Sequence, residues 1–240
     1  MRIWFRIFII IFLLVSIMVF TMSSDLFSLK NIYVTGNKTI PKDDIINLSK
    51  LQYGQNLFKM NKKKIIKNIF NNPKVKAVRI KRILPSGVSL DIIEREAIAV
   101  IPYLGSYLNI DDEALIIAVT GLSQETSIPI VEGFTFDDFK IGEIIKTDNN
   151  EQLELTMKIL ASLKNAGLNK DIDLINIKDV DNIELVTNSD IRIILCNNKL
   201  DYKIQMAKSI IEDLLKNDKK GIIDMRHEGN PIFKENKLGG

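Results

Sequence analysis

FSLKNIYVTGN, residues 27–37, opens the stretch that decides the fold, which runs on to residue 98. Its alternating centre predicts a short strand, and TIPKDD at residues 39–44 then predicts a helix with Thr39 as N-cap and Pro41 in the first turn. A second helix is predicted from Asn61 to Asn71, before Pro73. Two strands follow, Val75–Leu84 and Val88–Glu94, joined by a Pro-Ser-Gly turn. The predicted order is β-α-α-β-β.

Four motifs lie within this order: V-x-G-N at 34–37, N-L-F at 56–58, N-P-x-V-x-x-V at 72–78 and L-P-x-x-V-x-L-x-I-x-E-R at 84–95. Together with the element order they resemble a POTRA domain of the type found in the bacterial cell-division family FtsQ/DivIB. The resemblance implies a module that binds other proteins.

An apolar segment precedes this module. Residues 7–22 are interrupted only by Ser16 and Thr21, and counting from Ile3 gives a helix of about 30 Å, the thickness of a hydrocarbon core. Arg2, Trp4 and Arg6 flank its start, so the positive-inside rule predicts a cytoplasmic N-terminus. We expect an uncleaved anchor rather than a signal peptide, because no A-x-A-like site ends the segment.

Charge and cysteine content restrict the function. The formal charge is +3, and without Arg2 and Arg6 the chain carries 31 basic and 30 acidic residues. This balance predicts no nucleic-acid partner. The lone Cys196 excludes an intramolecular disulfide and a cysteine-based metal cluster. The lysines at 59, 62, 63, 64 and 67 predict a solvated helix face, with contact to anionic lipid headgroups as the alternative.

From Ala97 the pattern predicts a second domain of mixed α/β structure with a largely antiparallel sheet. Helices are predicted at 151–166 and 202–216, the second capped by Asp201 or Asn198. The acidic turn at 111–113 lacks the ligand spacing of an EF-hand and predicts no calcium site. IPIVEG at 128–133 and the I-D-x-R element at 223–226 resemble elements of the FtsQ/DivIB β domain. The expected fold class is α+β, and the expected segments are a cytoplasmic N-terminus 1–6, an anchor 7–25, a POTRA-like domain 26–96, a β domain 97–234 and a tail 235–240.

Catalytic and cofactor motifs are missing from the sequence. His227 is the only histidine, and it has no neighbouring nucleophile motif. No P-loop, G-x-S-x-G, H-E-x-x-H or G-x-G-x-x-G is present. The sequence therefore predicts a protein that is not an enzyme and that needs no metal or cofactor.

Sheet edges remain as the predicted binding surface, because an edge strand offers unpaired N–H and C=O groups. In the family resembled, partner segments bind after the I-D-x-R element. Carried over, this implies contacts at Met225, Arg226, His227, Pro231, Ile232 and Phe233. The alternative is that Ile232 and Phe233 only close the core. Replacing Ile232 with proline would test the edge, because it removes one backbone N–H.

The resemblance implies a single-pass scaffold of the bacterial divisome, located at the septum and joined outside the membrane to proteins of the FtsL and DivIC/FtsB type. Other divisome and septal wall-synthesis proteins, and membrane lipid, are further expected partners. Two alternatives stay open: a POTRA-type chaperone or assembly scaffold outside division, and an extracytoplasmic enzyme with an unrecognised site.

Overall fold

The computed structural model describes residues 2–121, 127–227 and 229–236, without the side chain of Arg2. The chain is α+β and divides into two compact units between Arg95 and Glu96. Each unit has its own hydrophobic core, and no residue belongs to both cores. The chain therefore folds as two separately packed parts.

The first unit contains a long apolar helix and a small three-stranded sheet. Its elements are α1 (Arg2–Ser23), β1 (Asn31–Thr35), α2 (Lys42–Ser49), α3 (Lys62–Ile69), β2 (Val75–Ile83) and β3 (Gly87–Glu94). The strands lie in the order β1-β3-β2, with β1 parallel and β2 antiparallel to β3. After α1 the order is β-α-α-β-β, as the sequence predicted.

Helix α1 is apolar on every side, and it is not covered by the rest of the protein. Ile3–Ser23 is long and apolar enough to cross a membrane, and none of that span is buried in the protein. A helix without a polar face is stable only where lipid or protein covers it. The helix therefore fits a single-pass membrane protein.

The core of the first unit forms between the sheet and the inner faces of α2 and α3. Val88, Leu90 and Ile92 project from one face of β3, and Ile45 and Ile69 face them from the helices. These residues alternate along the strand, as expected for a sheet with one buried face. Strand β2 departs from simple alternation, because a bulge between Val75 and Ala77 shifts its register. The bulge brings residues five apart, Val75 and Ile80, into the same core.

The predicted cap of α2 is wrong. The helix begins at Lys42, Pro41 is its N-cap, and no side chain makes a capping hydrogen bond. Thr39 instead donates its hydroxyl to Glu94, whose carboxylate also accepts the backbone N–H groups of Lys38, Thr39 and Ile40. The end of β3 therefore holds the loop that leads into α2, a long-range contact that no local pattern encodes.

The second unit is a nine-stranded mixed sheet with two helices on one face. Its elements are β4 (Ala99–Tyr103), β5 (Ser106–Ile110), β6 (Ile116–Gly121), β7 (Ile130–Glu132), α4 (Asn150–Ala166), β8 (Ile172–Asn176), β9 (Ile183–Thr187), β10 (Arg192–Leu195), α5 (Leu200–Lys216), β11 (Gly221–Asp224) and β12 (Ile232–Glu235). The strand order is β12-β11-β10-β9-β8-β7-β4-β5-β6. Five of the eight pairings are antiparallel, so the sheet is largely antiparallel, as predicted.

The two helices of the second unit differ at their N-termini, because only α4 has a side-chain cap. Asn149 caps α4, and Gly167 ends it in the left-handed conformation. Helix α5 begins at Leu200, and its N-cap Lys199 makes no side-chain capping bond. The predicted caps Asp201 and Asn198 therefore do not cap α5. The side chain of Asn198 instead accepts a hydrogen bond from Lys203.

Candidate partner-binding edge

Strand β12 forms one edge of the nine-stranded sheet, and within the described residues it pairs only with β11. The pairing is antiparallel, with Ile232 opposite Asp224 and Phe233 opposite Ile223. One side of β12 is therefore open, and this is the strand at the end of the segment that the sequence singled out. An open edge of this kind can accept an additional strand.

The register decides which backbone groups point outward. Asn236 donates its N–H to the carbonyl of Lys220, and Met225 donates its N–H to Ile194 on β10. Because hydrogen-bonded and non-bonded pairs alternate in an antiparallel ladder, Ile232 and Lys234 turn their N–H and C=O groups toward β11. Phe233 and Glu235 turn theirs away from the sheet. A partner strand would therefore meet two donors and two acceptors.

This geometry corrects the substitution suggested by the sequence. Proline at Ile232 would remove an N–H that serves the β11–β12 pairing, so it would test the fold of the hairpin rather than its open edge. The informative positions are Phe233 and Glu235. The sequence pattern shows which residues alternate, but not which of the two sets makes the ladder bonds, and so Glu235 was missed.

The I-D-x-R element makes a local ion pair at the end of β11. Asp224 and Arg226 lie two residues apart, on the same side of the strand, and the guanidinium forms two hydrogen bonds with the carboxylate at 3.0 and 2.6 Å. Arg226 also donates to Asn182 at 2.8 Å. The hydrogen bond from Arg226 holds the pKa of Asp224 at about 2, against the opposing effect of burial. The pair fixes the backbone direction as the chain leaves β11.

A second polar cluster contacts the backbone at Arg226. The Cys196 thiol donates to the carbonyl of Arg226 at 3.0 Å, and the buried Lys203 ammonium donates to the Cys196 sulfur at 2.9 Å and to Asn198. The half-buried Cys196 thus makes hydrogen bonds with both Arg226 and Lys203. Together with the Asp224–Arg226 ion pair, this cluster fixes the backbone that precedes β12.

The predicted contact residues do not all face the open side. Met225 is buried and packs in the core, and the side chain of Phe233 also packs against the core. His227 is exposed, Pro231 is half-buried, and Ile232 is 50% exposed on the opposite face of β12 from Phe233. Of these residues, Ile232 and His227 therefore have exposed side chains, whereas Phe233 presents its backbone at the open edge.

At the other end of the chain, the residues predicted to set the membrane topology lie in the first turns of α1. Trp4 is 76% exposed, and Arg6 lies further along the helix. Arg2 begins the helix, but its side chain lies outside the described residues.

Within residues 2–121, 127–227 and 229–236, no three His, Cys, Asp or Glu side chains group to hold a metal ion. Asp111, in the acidic turn, accepts the backbone N–H groups of Glu113 and Leu115, and so stabilises the turn before β6. Glu228, beside His227, lies outside the described residues.

The chain is similar to known proteins over most of its length. A family model described as "POTRA domain, FtsQ-type" matches residues 27–95. Cell division protein DivIB of Clostridium botulinum (strain Loch Maree / Type A3) is 29% identical over 231 residues, covering 93% of this chain and 88% of the relative. Cell division protein DivIB of Clostridium acetobutylicum is 31% identical over 209 residues, covering 86% of this chain and 82% of the relative.

The solved structures that match include that of the major extracytoplasmic domain of the bacterial cell division protein DivIB from Geobacillus stearothermophilus. It covers 52% of this chain and 97% of its own, with 15% identity and a TM-score of 0.35. The sequence relatives are the stronger finding, because they match nearly the full length of both chains.

Proposed function

This chain belongs to the family of the cell division protein DivIB, and from that premise we propose that it is a non-enzymatic scaffold that links early and late division proteins. It acts through protein contacts made outside the membrane, and it helps to control septal wall synthesis without turning over a substrate. The observation that carries this function is the open β12 edge in a chain whose relatives are division proteins.

The proposed topology places the N-terminus in the cytoplasm, α1 in the membrane and the chain after α1 outside. Arg2 and Arg6 precede the apolar span, and Asp25 is the first acidic residue after it, which supports this orientation. A fluorescent protein that matures without oxygen, fused before Met1, tests location and topology together. We expect fluorescence at the septum. An even membrane signal from a functional fusion would contradict the division role and favour a POTRA-type scaffold of another process.

We propose that β12 receives an extended segment of a partner by strand addition. The candidate partners are the extracytoplasmic segments of the FtsL- and DivIC/FtsB-type proteins of the same cell, as the family resemblance implies. Backbone groups of Phe233 and Glu235 would supply affinity, and the exposed side chain of Ile232 would supply selectivity. The Asp224–Arg226 pair would keep the edge in place.

Proline at Glu235 is the sharpest test of this edge. The exposed side chain of Glu235 packs on nothing in the core, and its N–H points away from β11. Glu235→Pro therefore removes one donor from the open side, and proline is tolerated at such a position. We expect the affinity for the partner segment to fall roughly 2- to 10-fold, the value of one hydrogen bond. Calorimetric titration of the detergent-solubilised full chain with a synthetic partner segment measures it.

Two matched variants interpret the result. Glu235→Ala keeps the N–H and removes the same charge, so it should bind like the parent chain. Lys234→Pro removes an N–H that points to β11, so it should detach β12 and lower hydrogen-exchange protection along β11. If Glu235→Pro retains both the fold and full affinity, the strand-addition proposal is wrong.

An extracytoplasmic enzyme is the second class of function. No observation in the described residues favours it, and turnover of a substrate by the purified chain would be needed to revive it.

A further inference from the structure

The charge of this protein is strongly segregated along the chain. Residues 26–95 contain fifteen basic and four acidic side chains, a formal charge of +11. Residues 96–240 contain sixteen basic and twenty-five acidic side chains, a formal charge of −9. The near-zero balance of the whole chain therefore conceals a basic POTRA module, and a module of this charge is suited to an anionic surface.

The contact between α1 and the module fixes where part of this charge lies. Thr21 is in the last turn of α1, close to where a membrane-spanning helix leaves the hydrocarbon. The side chain of Asn56 donates a hydrogen bond to the Thr21 carbonyl at 2.9 Å. The N-L-F motif, residues 56–58, is therefore held at the membrane end of the module.

Exposed apolar side chains lie in and next to the N-L-F motif, at the membrane end of the module. Phe58 is 38% exposed and packs edge-on against Phe27 at 5.0 Å between ring centroids, and Leu26 is 54% exposed. The Arg82 guanidinium lies 5.7 Å from the centre of the Phe58 ring and donates to the Leu57 carbonyl. Aromatic rings next to cationic side chains are typical of protein surfaces at the membrane–water interface.

A row of lysines continues from this point into α3. Within the described residues these side chains are exposed and form no ion pair. They are Lys59, Lys63, Lys64 and Lys67, called the basic face below. Lys63 and Lys64 lie in the first turn of α3, which has no acidic residue. Positive charge at a helix N-terminus opposes the helix dipole, so these lysines do not serve helix stability.

We propose that the basic face binds the anionic phospholipid headgroups of the membrane that α1 crosses, and so holds the POTRA module against the bilayer. Lipid is the expected anion because the Asn56–Thr21 contact keeps this part of the module beside the bilayer, where headgroup phosphates are concentrated. The proposal rests on α1 spanning the membrane, but not on the division role or on the β12 edge.

The full chain in lipid nanodiscs provides the test. A donor dye is placed at Tyr53→Cys, in an exposed position before the N-L-F motif, with Cys196→Ser to leave one thiol. Acceptor dye is carried on lipid headgroups, and discs contain phosphatidylcholine alone or with increasing phosphatidylglycerol. Elution of the chain with the discs is checked first, which separates failure of the membrane span from failure of the headgroup contact.

We expect energy transfer to rise with the phosphatidylglycerol fraction and to fall at high salt. Changing the four lysines of the basic face to glutamine should abolish the rise, because each lysine changes the docked-to-free ratio by about fivefold. The matched control changes four exposed lysines of the second unit to glutamine and should leave the rise in energy transfer intact. These lysines are Lys158, Lys170, Lys178 and Lys216.

Three results would overturn the proposal. Equal transfer in neutral and anionic discs would remove the headgroup contact. A rise that survives in the glutamine variant would assign it to other residues. Energy transfer that does not depend on lipid composition, but changes when polyphosphate or single-stranded DNA is added, would show that the basic face binds a soluble polyanion instead.

Discussion

At the scale of single residues, close packing explains why the first motif of the POTRA module, V-x-G-N, contains a glycine. Gly36 of V-x-G-N has φ +78°, and a Cβ atom there would lie 2.2 Å from the Ile92 carbonyl oxygen on β3. We predict that Gly36→Ala lowers the stability of the β1–β3 pairing by about 2–3 kcal/mol, from backbone strain and the clash together. Hydrogen exchange of the full chain, read at the β1 and β3 amides, measures the loss.

Gly54 is the matched control for this prediction. It has a similar φ of +83°, but a Cβ atom added there would meet no other atom within 4 Å. Gly54→Ala therefore carries the cost of the left-handed backbone alone, about 1 kcal/mol. Equal effects of the two substitutions would show that the contact with Ile92 has no part in the requirement for glycine.

Glu94 gives the module a pH dependence. Burial alone would raise the pKa of its carboxylate, but hydrogen bonds from the Thr39 side chain and from the N–H groups of Ile40, Lys38 and Thr39 outweigh burial and hold the pKa at about 2. Since the folded pKa is below the ordinary value of about 4.5, the stabilisation is complete above that value and is lost as the pH falls toward 2.

We therefore predict that Glu94→Gln lowers the hydrogen-exchange protection of the loop at residues 38–40 roughly 10-fold at neutral pH. This corresponds to a loss of about 1.4 kcal/mol in the free energy of opening the loop, after allowance for solvent screening. The ratio of exchange rates between parent and variant, taken at each pH so that intrinsic rates cancel, should fall toward one as the pH passes below about 2. A ratio that does not change with pH would show that the carboxylate charge is unimportant to the loop.

At the scale of elements, the two ends of α3 allow lipid contact to be separated from helix stability. Lys63 lies in the first turn and Lys67 in the last, where the helix dipole acts with opposite sign. We predict that Lys63→Glu stabilises α3 by about 0.3–1 kcal/mol, whereas Lys67→Glu destabilises it by a similar amount. Both substitutions remove the same charge from the basic face, so both should weaken contact with anionic lipid. Hydrogen exchange of α3 and energy transfer in nanodiscs measure the two effects separately.

If the lipid contact followed helix stability, the two variants would change it in opposite directions, and the headgroup proposal would lose its electrostatic basis.

Helices and strands were the most predictable elements, because their apolar residues recur at the period of each structure. The positions of β1, α3 and α4 follow from such local patterns. Contacts between distant residues were not predictable. Thr39 binds Glu94 rather than capping α2, and the bulge in β2 depends on its pairing with β3. The outward orientation of Phe233 and Glu235 likewise depends on a register that only the folded sheet defines.

At the scale of the whole molecule, the total charge was misleading because it is a sum over two units of opposite sign. The chain as a whole is nearly balanced, which predicts no strong electrostatic partner. Divided at Arg95, the same residues give a basic module at the end of a membrane helix and an acidic domain that contains the β12 edge. The two proposed binding surfaces thus belong to separate units and differ in chemistry, one electrostatic and one made by backbone hydrogen bonds.

This separation predicts that the two surfaces act independently. The basic face and β12 share no core residue, so substitutions in one should not alter the other. A chain carrying both Glu235→Pro and the four glutamines should bind the partner segment as weakly as Glu235→Pro alone, and contact lipid as weakly as the glutamine variant alone. Titration and energy transfer on the four chains, parent, each variant and the combination, form a complete cycle. An interaction energy above about 0.5 kcal/mol would show that lipid contact and partner binding are coupled, so that docking of the module on the membrane changes the affinity of the β12 edge.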